Sequence, residues 1–276
     1  MTRIAVVGGG RIGEALVSGL LGAGRHTRDL VVTEKSGSRA RQLASDYGIR
    51  VSGNIADAVE GADVVVVAVK PVDVEPVLTE LAVFQETSDD DQLIVSLAAG
   101  IPTGRYESLL PAGSAVVRVM PNTPMLVGQG ASAICRGRYA TDEHMDLVED
   151  IMAAVGLVRR VKETQMDAVT AVSGSGPAYF YLAIEAMIDA GVTLGLARPV
   201  ARDLAVQTLV GAGTMLAETD ESATELRAAV MSPGGTTAAA VRQLEKDGMR
   251  SAFFEAMAVV RDKSAAMGRV SEDAEK

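Results

Sequence analysis

Ile4-Ala5-Val6-Val7-Gly8-Gly9-Gly10-Arg11-Ile12-Gly13 decides the fold. The opening run is short, apolar on both faces and rich in β-branched residues, as a strand buried within a parallel sheet must be. Ala15, Leu16 and Leu20 then recur at helical spacing, so a helix is predicted over 14–21. Gly8, Gly10 and Gly13 between them fit G-x-G-x-x-G in the strand–turn–helix setting that gives this pattern its meaning. Gly8 allows the tight turn, Gly10 lets backbone approach a pyrophosphate, and Gly13 lets helix and strand pack closely. Unclaimed N–H groups at the helix start, with the helix dipole behind them, favour phosphate there.

The same alternation continues outward. Strands are predicted over 30–33, 64–69, 93–97 and 115–119, and helices over 39–47 and 73–81. Apolar strands separated by helices indicate a doubly wound, mainly parallel α/β sheet of the Rossmann kind. The character changes near Arg159-Arg160-Val161-Lys162. Beyond it helix formers dominate, with helices predicted over 178–194, about 199–216, 238–244 and 249–266, and a loose polar tail after Gly268. The chain therefore divides into a dinucleotide-binding Rossmann domain over 1–160 and an all-α domain over 161–276. The helix over 178–194 carries only Glu185 and Asp189 as charges, so it is expected to be covered all round. A domain this small cannot cover it alone, which calls for a second subunit and makes the helical domain the dimerisation domain. The acidic run 86–91 reads as a solvated loop.

Composition excludes several classes. A formal net charge of −10, with no basic patch or arm, argues against nucleic acid and anionic membranes as partners. Cys135 is the only cysteine, so neither an intrachain disulfide nor a cysteine metal cluster can form, and no metal is expected. The first residues lack the apolar core of a signal peptide and no apolar run is long enough to span a membrane; the expected setting is the cytoplasm.

Glu34 ends the second strand, where a carboxylate accepts from adenosine ribose hydroxyls and disfavours a 2′-phosphate. Lys35, Arg39 and Arg41 follow closely and would neutralise such a phosphate, with Arg11 able to serve either form. NADH and NADPH both stay open.

Five further motifs stand in order: Val67-Ala68-Val69-Lys70-Pro71, Ala98-Ala99-Gly100, Met120-Pro121-Asn122-Thr123-Pro124, Val172-Ser173-Gly174-Ser175-Gly176-Pro177-Ala178-Tyr179 and Ser232-Pro233-Gly234-Gly235-Thr236-Thr237. Together they resemble the pyrroline-5-carboxylate reductase family from about residue 3 to 266; the region around Glu34 is the least family-like. The resemblance implies a Rossmann domain followed by a helical domain that interleaves with its partner's, in dimers or rings built from dimers. It implies NADPH or NADH as cofactor, with Gly8, Gly10, Arg11, Ile12, Gly13, Glu34 and Lys35 near the dinucleotide. Asn54 would contact a ribose. Ala68, Val69, Lys70 and Pro71 would lie at a strand's carboxyl end, and Lys70 would offset phosphate charge. Ala98, Ala99 and Gly100 would line the nicotinamide ribose, with Asn122 beside the nicotinamide. Ser173, Gly174, Ser175 and Gly176 would break the chain before the long helix, close to the reacting centre.

The substrate implied is 1-pyrroline-5-carboxylate, a cyclic imine bearing a carboxylate, reduced to L-proline in the last step of proline biosynthesis. Ser232, Gly234, Gly235, Thr236 and Thr237 sit at a predicted helix start, whose N–H groups hold an anion without arginine. The resemblance makes Thr237 the catalytic residue, its hydroxyl bonding the imine nitrogen; helix capping is the plainer alternative for both threonines. His26 and His144, the only histidines, fall outside every motif and are expected to be exposed. A site of hydroxyl and backbone donors suits an imine, which enters already protonated, better than a ketone. β-Hydroxyacid dehydrogenases share the domain plan but need a lysine after the glycine-rich turn, and 173–196 has none. A reductase of another cyclic imine and a non-catalytic dinucleotide sensor are the remaining alternatives.

Overall fold

A computed structural model describes residues 2–87 and 91–273, with side chains through residue 268. Ser88, Asp89 and Asp90 of the acidic run lie outside the described residues, as does the tail beyond 273. Two compact units separate, one running to Ser175 and including the chain from Val259 on, the other Gly176–Ala258.

The first unit is built on eight strands: β1 (Ile4–Val7), β2 (Leu30–Thr33), β3 (Arg50–Ser52), β4 (Val64–Val67), β5 (Leu93–Ser96), β6 (Val116–Met120), β7 (Gly130–Arg136) and β8 (Gly156–Arg160). Their order is β3-β2-β1-β4-β5-β6-β7-β8. All pairings are parallel except β6 with β7. The helices are α1 (Arg11–Gly22), α2 (Gly37–Tyr47), α3 (Ile55–Val59), α4 (Val74–Thr87), α5 (Thr103–Leu109), α6 (Asp142–Ala153) and α7 (Met166–Val169).

Strands β1, β2, β4, β5 and β6 are buried at every residue. Alternate residues feed opposite layers, as the pleat requires. Ile4 and Val6 join Leu16, Leu20, Val148 and Ile151 on one face. Ala5 and Val7 join Ile55, Leu78, Leu81 and Tyr106 on the other. Neighbours β1 and β4 are in register from Ile4↔Val64 to Val7↔Val67, and the strand order reverses there. In open α/β sheets that reversal opens a crevice at the strands' carboxyl ends.

Three strands differ in their limits from the expected ones, as do several helices; β5 stops at Ser96 rather than 97. Strand β4 stops at Val67, because Ala68 and Val69 already turn into the cavity described below. Strand β6 reaches Met120. Helix α12 (Met249–Asp273) continues past 266. Ser264 Oγ donates to Asp167 Oδ1 at 2.6 Å and Met267 packs on Gly100, contacts that carry this end of the helix back to the sheet-bearing unit.

The second unit contains α8 (Gly176–Thr193), α9 (Arg198–Glu218), α10 (Ala223–Ala229), α11 (Thr236–Lys246) and the first part of α12. A Cβ built on Gly191 of α8 would lie 3.2 Å from Ala201 Cβ of α9, so small residues set how closely these helices pack. Tyr179 and Phe253 meet edge to face with centroids 6.1 Å apart. Within the single chain α8 is not covered all round: Leu182 is 68% and Phe254 of α12 is 74% exposed. Among the described residues no helix is long and apolar enough to cross a membrane, and no group of three His, Cys, Asp or Glu is placed to hold a metal ion.

Candidate active site

The glycine turn sits at the switch point. Gly8 takes φ +111°, and its N–H donates to Thr33 O at 3.1 Å, tying the turn to β2. A Cβ at Gly8 would come within 2.8 Å of Ala68 O, and one at Gly13 would collide with the Gly8 carbonyl. The turn is therefore pressed between β4 and α1. Gly10 is the N-cap of α1, with no side chain capping the helix. A Cβ there would meet nothing within 4 Å. Open space at a helix start whose first N–H groups no side chain has taken fits a dinucleotide pyrophosphate.

That space belongs to a cavity of about 360 Å³. Its wall brings together Gly8, Gly10, Glu34, Lys35, Ala68, Val69 and Lys70 of the expected residues. It adds Gly53, Ile55, Asp73 and Glu80, which the sequence did not single out. Arg11, Ile12, Gly13, Asn54, Pro71, Ala98, Ala99, Gly100 and Asn122 lie outside this lining.

Several of these have structural work of their own. Glu34 Oε1 accepts from the Ser36 N–H at 2.7 Å. Arg39, a candidate partner for a 2′-phosphate, is turned back under the glycine turn. Its Nε donates to Gly9 O at 3.0 Å, its Nη2 to Glu14 Oε2 at 2.5 Å and its Nη1 to Gln42 Oε1 at 2.9 Å. Asn54 Oδ1 caps α3 by accepting from Asp57 N at 3.1 Å, leaving its amide nitrogen for other partners. Asn122 is 9% exposed. Its Nδ2 donates to Ser173 O at 3.1 Å and its Oδ1 accepts from Ala131 N at 2.8 Å, so both ends brace the carboxyl end of β6. Gly100 has φ +79° and is buried against Met267. Lys70 and Arg11 are exposed.

The break expected over 173–176 narrows to a bend at Ser175. Residues Thr170–Gly174 form a π-turn that continues α7, with Ser175 N donating to Thr170 O at 2.8 Å, before α8 begins at Gly176. Small residues permit the wider turn, and π-turns inside α-helices recur at functional sites. Ser173 Oγ donates to Val169 O at 3.1 Å, and Ser173 lines a second, mainly apolar depression of about 380 Å³ with Val169 and Val172.

In the helical unit α11 begins at Thr236, earlier than the expected Ala238. Gly235 is its N-cap, Gly234 takes φ +71°, and Gly235 N donates to Ser232 O at 2.9 Å. No side chain caps this helix, so the threonines are not its caps. Thr236 and Thr237 are exposed in the first turn. His144 Nδ1 accepts from Thr141 N at 3.2 Å in a capping box, and His26 is exposed.

One polar cluster was not legible beforehand. Glu163 pairs with the buried Arg118 and accepts from Thr103 Oγ1 at 3.1 Å and from Cys135 Sγ at 3.2 Å. Burial pushes the Cys135 thiol up, and the Glu163 carboxylate adds to this. Burial likewise pushes Tyr106 up to about 12, opposed by the hydrogen bond from Ser96 and the charge of Arg118. The cluster ties the start of α5, β6 and β7 to the turn that precedes α7.

Switch-point cavity, glycine turn and open helix start define a Rossmann-type dinucleotide-binding oxidoreductase. Residues 3–100 match the family model described as NADP oxidoreductase coenzyme F420-dependent, and 163–267 match pyrroline-5-carboxylate reductase dimerisation. A pyrroline-5-carboxylate reductase of Mycobacterium tuberculosis is 50% identical over 284 residues, covering 96% of both chains. The solved pyrroline-5-carboxylate reductase of Coxiella burnetii superposes with TM-score 0.90 at 36% identity, covering 96% of this chain and 98% of that one. That of Plasmodium falciparum, solved with NADP bound, gives 0.86 at 31%, covering 97% and 98%. The chain belongs to the pyrroline-5-carboxylate reductase family.

Proposed function

We propose that this protein reduces the cyclic imine of 1-pyrroline-5-carboxylate to L-proline with NADPH or NADH, closing proline biosynthesis. The observation that carries the chemistry is the start of α11. An uncapped helix N-terminus with two exposed threonine hydroxyls follows a glycine held at φ +71°. Such a start binds a carboxylate through backbone N–H groups and the helix dipole. It thereby accommodates an anionic substrate in a chain of net charge −10.

Roles follow from these positions. The backbone at Gly8, Gly10, Arg11, Ile12 and Gly13 would hold the pyrophosphate, and Glu34, Lys35 and Asn54 the adenosine ribose. Ala68, Val69, Lys70 and Pro71 would border the phosphates. Ala98, Ala99, Gly100 and Asn122 would position the nicotinamide end, with Asn122 acting through the backbone it braces. Bound reduced nicotinamide supplies the hydride for the imine carbon. Ser232, Gly234, Gly235 and Thr236 would hold the substrate carboxylate, and Ser173, Gly174, Ser175 and Gly176 would shape the substrate pocket. Thr237 Oγ would hydrogen-bond the imine nitrogen and hand on its proton. The helical unit would bury Leu182, Leu194 and Phe254 against a second copy, giving a dimer or a ring of dimers, working in the cytoplasm. Function over 1–160 and 161–276 divides accordingly into dinucleotide binding and substrate binding with assembly.

Purified protein should oxidise NADPH or NADH when given 1-pyrroline-5-carboxylate and should release proline stoichiometrically. Folded, dinucleotide-bound protein that oxidises neither would overturn the proposal.

A further inference from the structure

We propose that Glu34 sets this site for NADH over NADPH. The inference rests on the dinucleotide reading of the cavity and needs nothing from the imine chemistry.

Glu34 is fixed at the end of β2. Its backbone N–H donates to Ser52 O at 3.0 Å, and its side-chain Oε1 accepts from Ser36 N at 2.7 Å. The half-buried carboxylate therefore faces the cavity it lines, where it accepts from ribose hydroxyls and repels a 2′-phosphate. It also takes the Ser36 N–H that a phosphate would otherwise use. One cation expected to offset that repulsion is spent elsewhere. Arg39 is committed to Gly9 O, Glu14 and Gln42, and only about a quarter of its side chain (24%) is exposed. The wall itself carries more acid than base: Glu34, Asp73 and Glu80 against Lys35 and Lys70. A 2′-phosphate adds a charge of about −2 to this setting, whereas a 2′-hydroxyl gives Glu34 a donor.

The test is equilibrium titration of the full-length protein with NADH and with NADPH, read by reduced-nicotinamide fluorescence with no imine present. At about 5 Å in water-like surroundings, the repulsion between Glu34 and a doubly charged phosphate amounts to roughly tenfold in affinity. NADH should therefore bind about tenfold more tightly. Glu34→Gln should tighten NADPH by about that factor and weaken NADH a few-fold, bringing the ratio to unity or below. Lys35→Ala in the Glu34→Gln background should then weaken NADPH alone. Glu34→Asn, which shortens the side chain and removes its charge, serves as a second variant should the first be poorly folded. Equal or tighter NADPH binding by the unaltered protein, or a ratio unmoved by both variants, overturns the inference. Absence of binding by either dinucleotide overturns it together with the dinucleotide site. Tight NADH binding without imine turnover leaves it standing and removes only the proposed reaction.

Discussion

Replacing Gly8 by alanine tests whether the glycine turn is pressed into place or merely lies there. Two costs add. Gly8 holds φ +111°, a conformation that L-residues occupy only under strain of roughly 1–3 kcal/mol. Its new Cβ would stand 2.8 Å from Ala68 O and 3.0 Å from Val69 Cγ1, closer than packed atoms sit, and the obstacle is backbone of the strand end beside it. Overpacking of this kind costs about 1–3 kcal/mol. The sum, about 2–6 kcal/mol, should lower the melting temperature by roughly 5–20 °C. Gly10→Ala provides the contrast. Its Cβ meets no protein atom within 4 Å and its φ of −69° suits any residue. Stability should stay within about 1 kcal/mol, while dinucleotide affinity falls at least tenfold, about 1.4 kcal/mol, because the methyl fills the space proposed for the pyrophosphate. Thermal unfolding by circular dichroism and NADH fluorescence titration read the two effects separately. A Gly8→Ala protein that melts with the unaltered one, or a Gly10→Ala protein that binds NADH normally, would refute the reasoning.

Thr237→Ala should cut turnover at least tenfold with NADH affinity unchanged; intact turnover would remove Thr237 from the mechanism. Glu163→Gln leaves Arg118, 4% exposed, without its counter-ion. The cost should be about 2–3 kcal/mol by urea unfolding, below a fully buried pair because Glu163 is itself 33% exposed, and Arg118→Met in the same chain should recover most of it. The Cys135 thiol lies above its ordinary value in the folded protein. Its contribution is thus complete below about pH 8.5 and fades as pH rises further, since only the unfolded chain then ionises. Unfolding free energy should fall by about 1–2 kcal/mol between pH 8 and 10 beyond the fall seen in Cys135→Val; parallel curves would show that the thiol titrates freely. Leu182→Glu should shift the protein toward monomer by light scattering, and an unaltered mass would remove α8 from the interface.

The five predicted strands, all present, are those with apolar residues on both faces, because burial on two sides leaves a continuous apolar run that is easily read. Strand β3 (Arg-Val-Ser) is short and carries an exposed arginine, and β8 is an edge with Arg159 and Arg160 exposed. Neither has the continuous apolar run that marks an inner strand. Strand β7 opens on the small residues Gly130, Ala131 and Ser132 and pairs antiparallel to β6 only over 133–136, so neither its presence nor its direction could be read. The glycine turn was legible because its demands are local: a positive φ and close backbone approach exclude other residues. Gly9 was passed over, although Gly8-Gly9-Gly10 stood in plain view; a Cβ there would lie 3.0 Å from Glu34 Oε2.

What the sequence alone determined is therefore what depends on neighbours along the chain: strand and helix periodicities, the phosphate-fitting turn, the helix start at residues 232–237, and a composition that excludes cysteine metal chemistry. Tertiary structure decided which groups are already spent. Arg39 and Glu34 lie five positions apart and read as rival signals, yet folding ties Arg39 to Glu14 and leaves Glu34 facing the cavity. Asn122 braces the backbone at Ser173 and Ala131, and Arg118 and Cys135 converge on Glu163, through contacts between residues distant in sequence. A side chain's chemistry is written in its identity. Its availability depends on which partners three-dimensional packing delivers, and buried polar groups take whatever partners packing brings within reach.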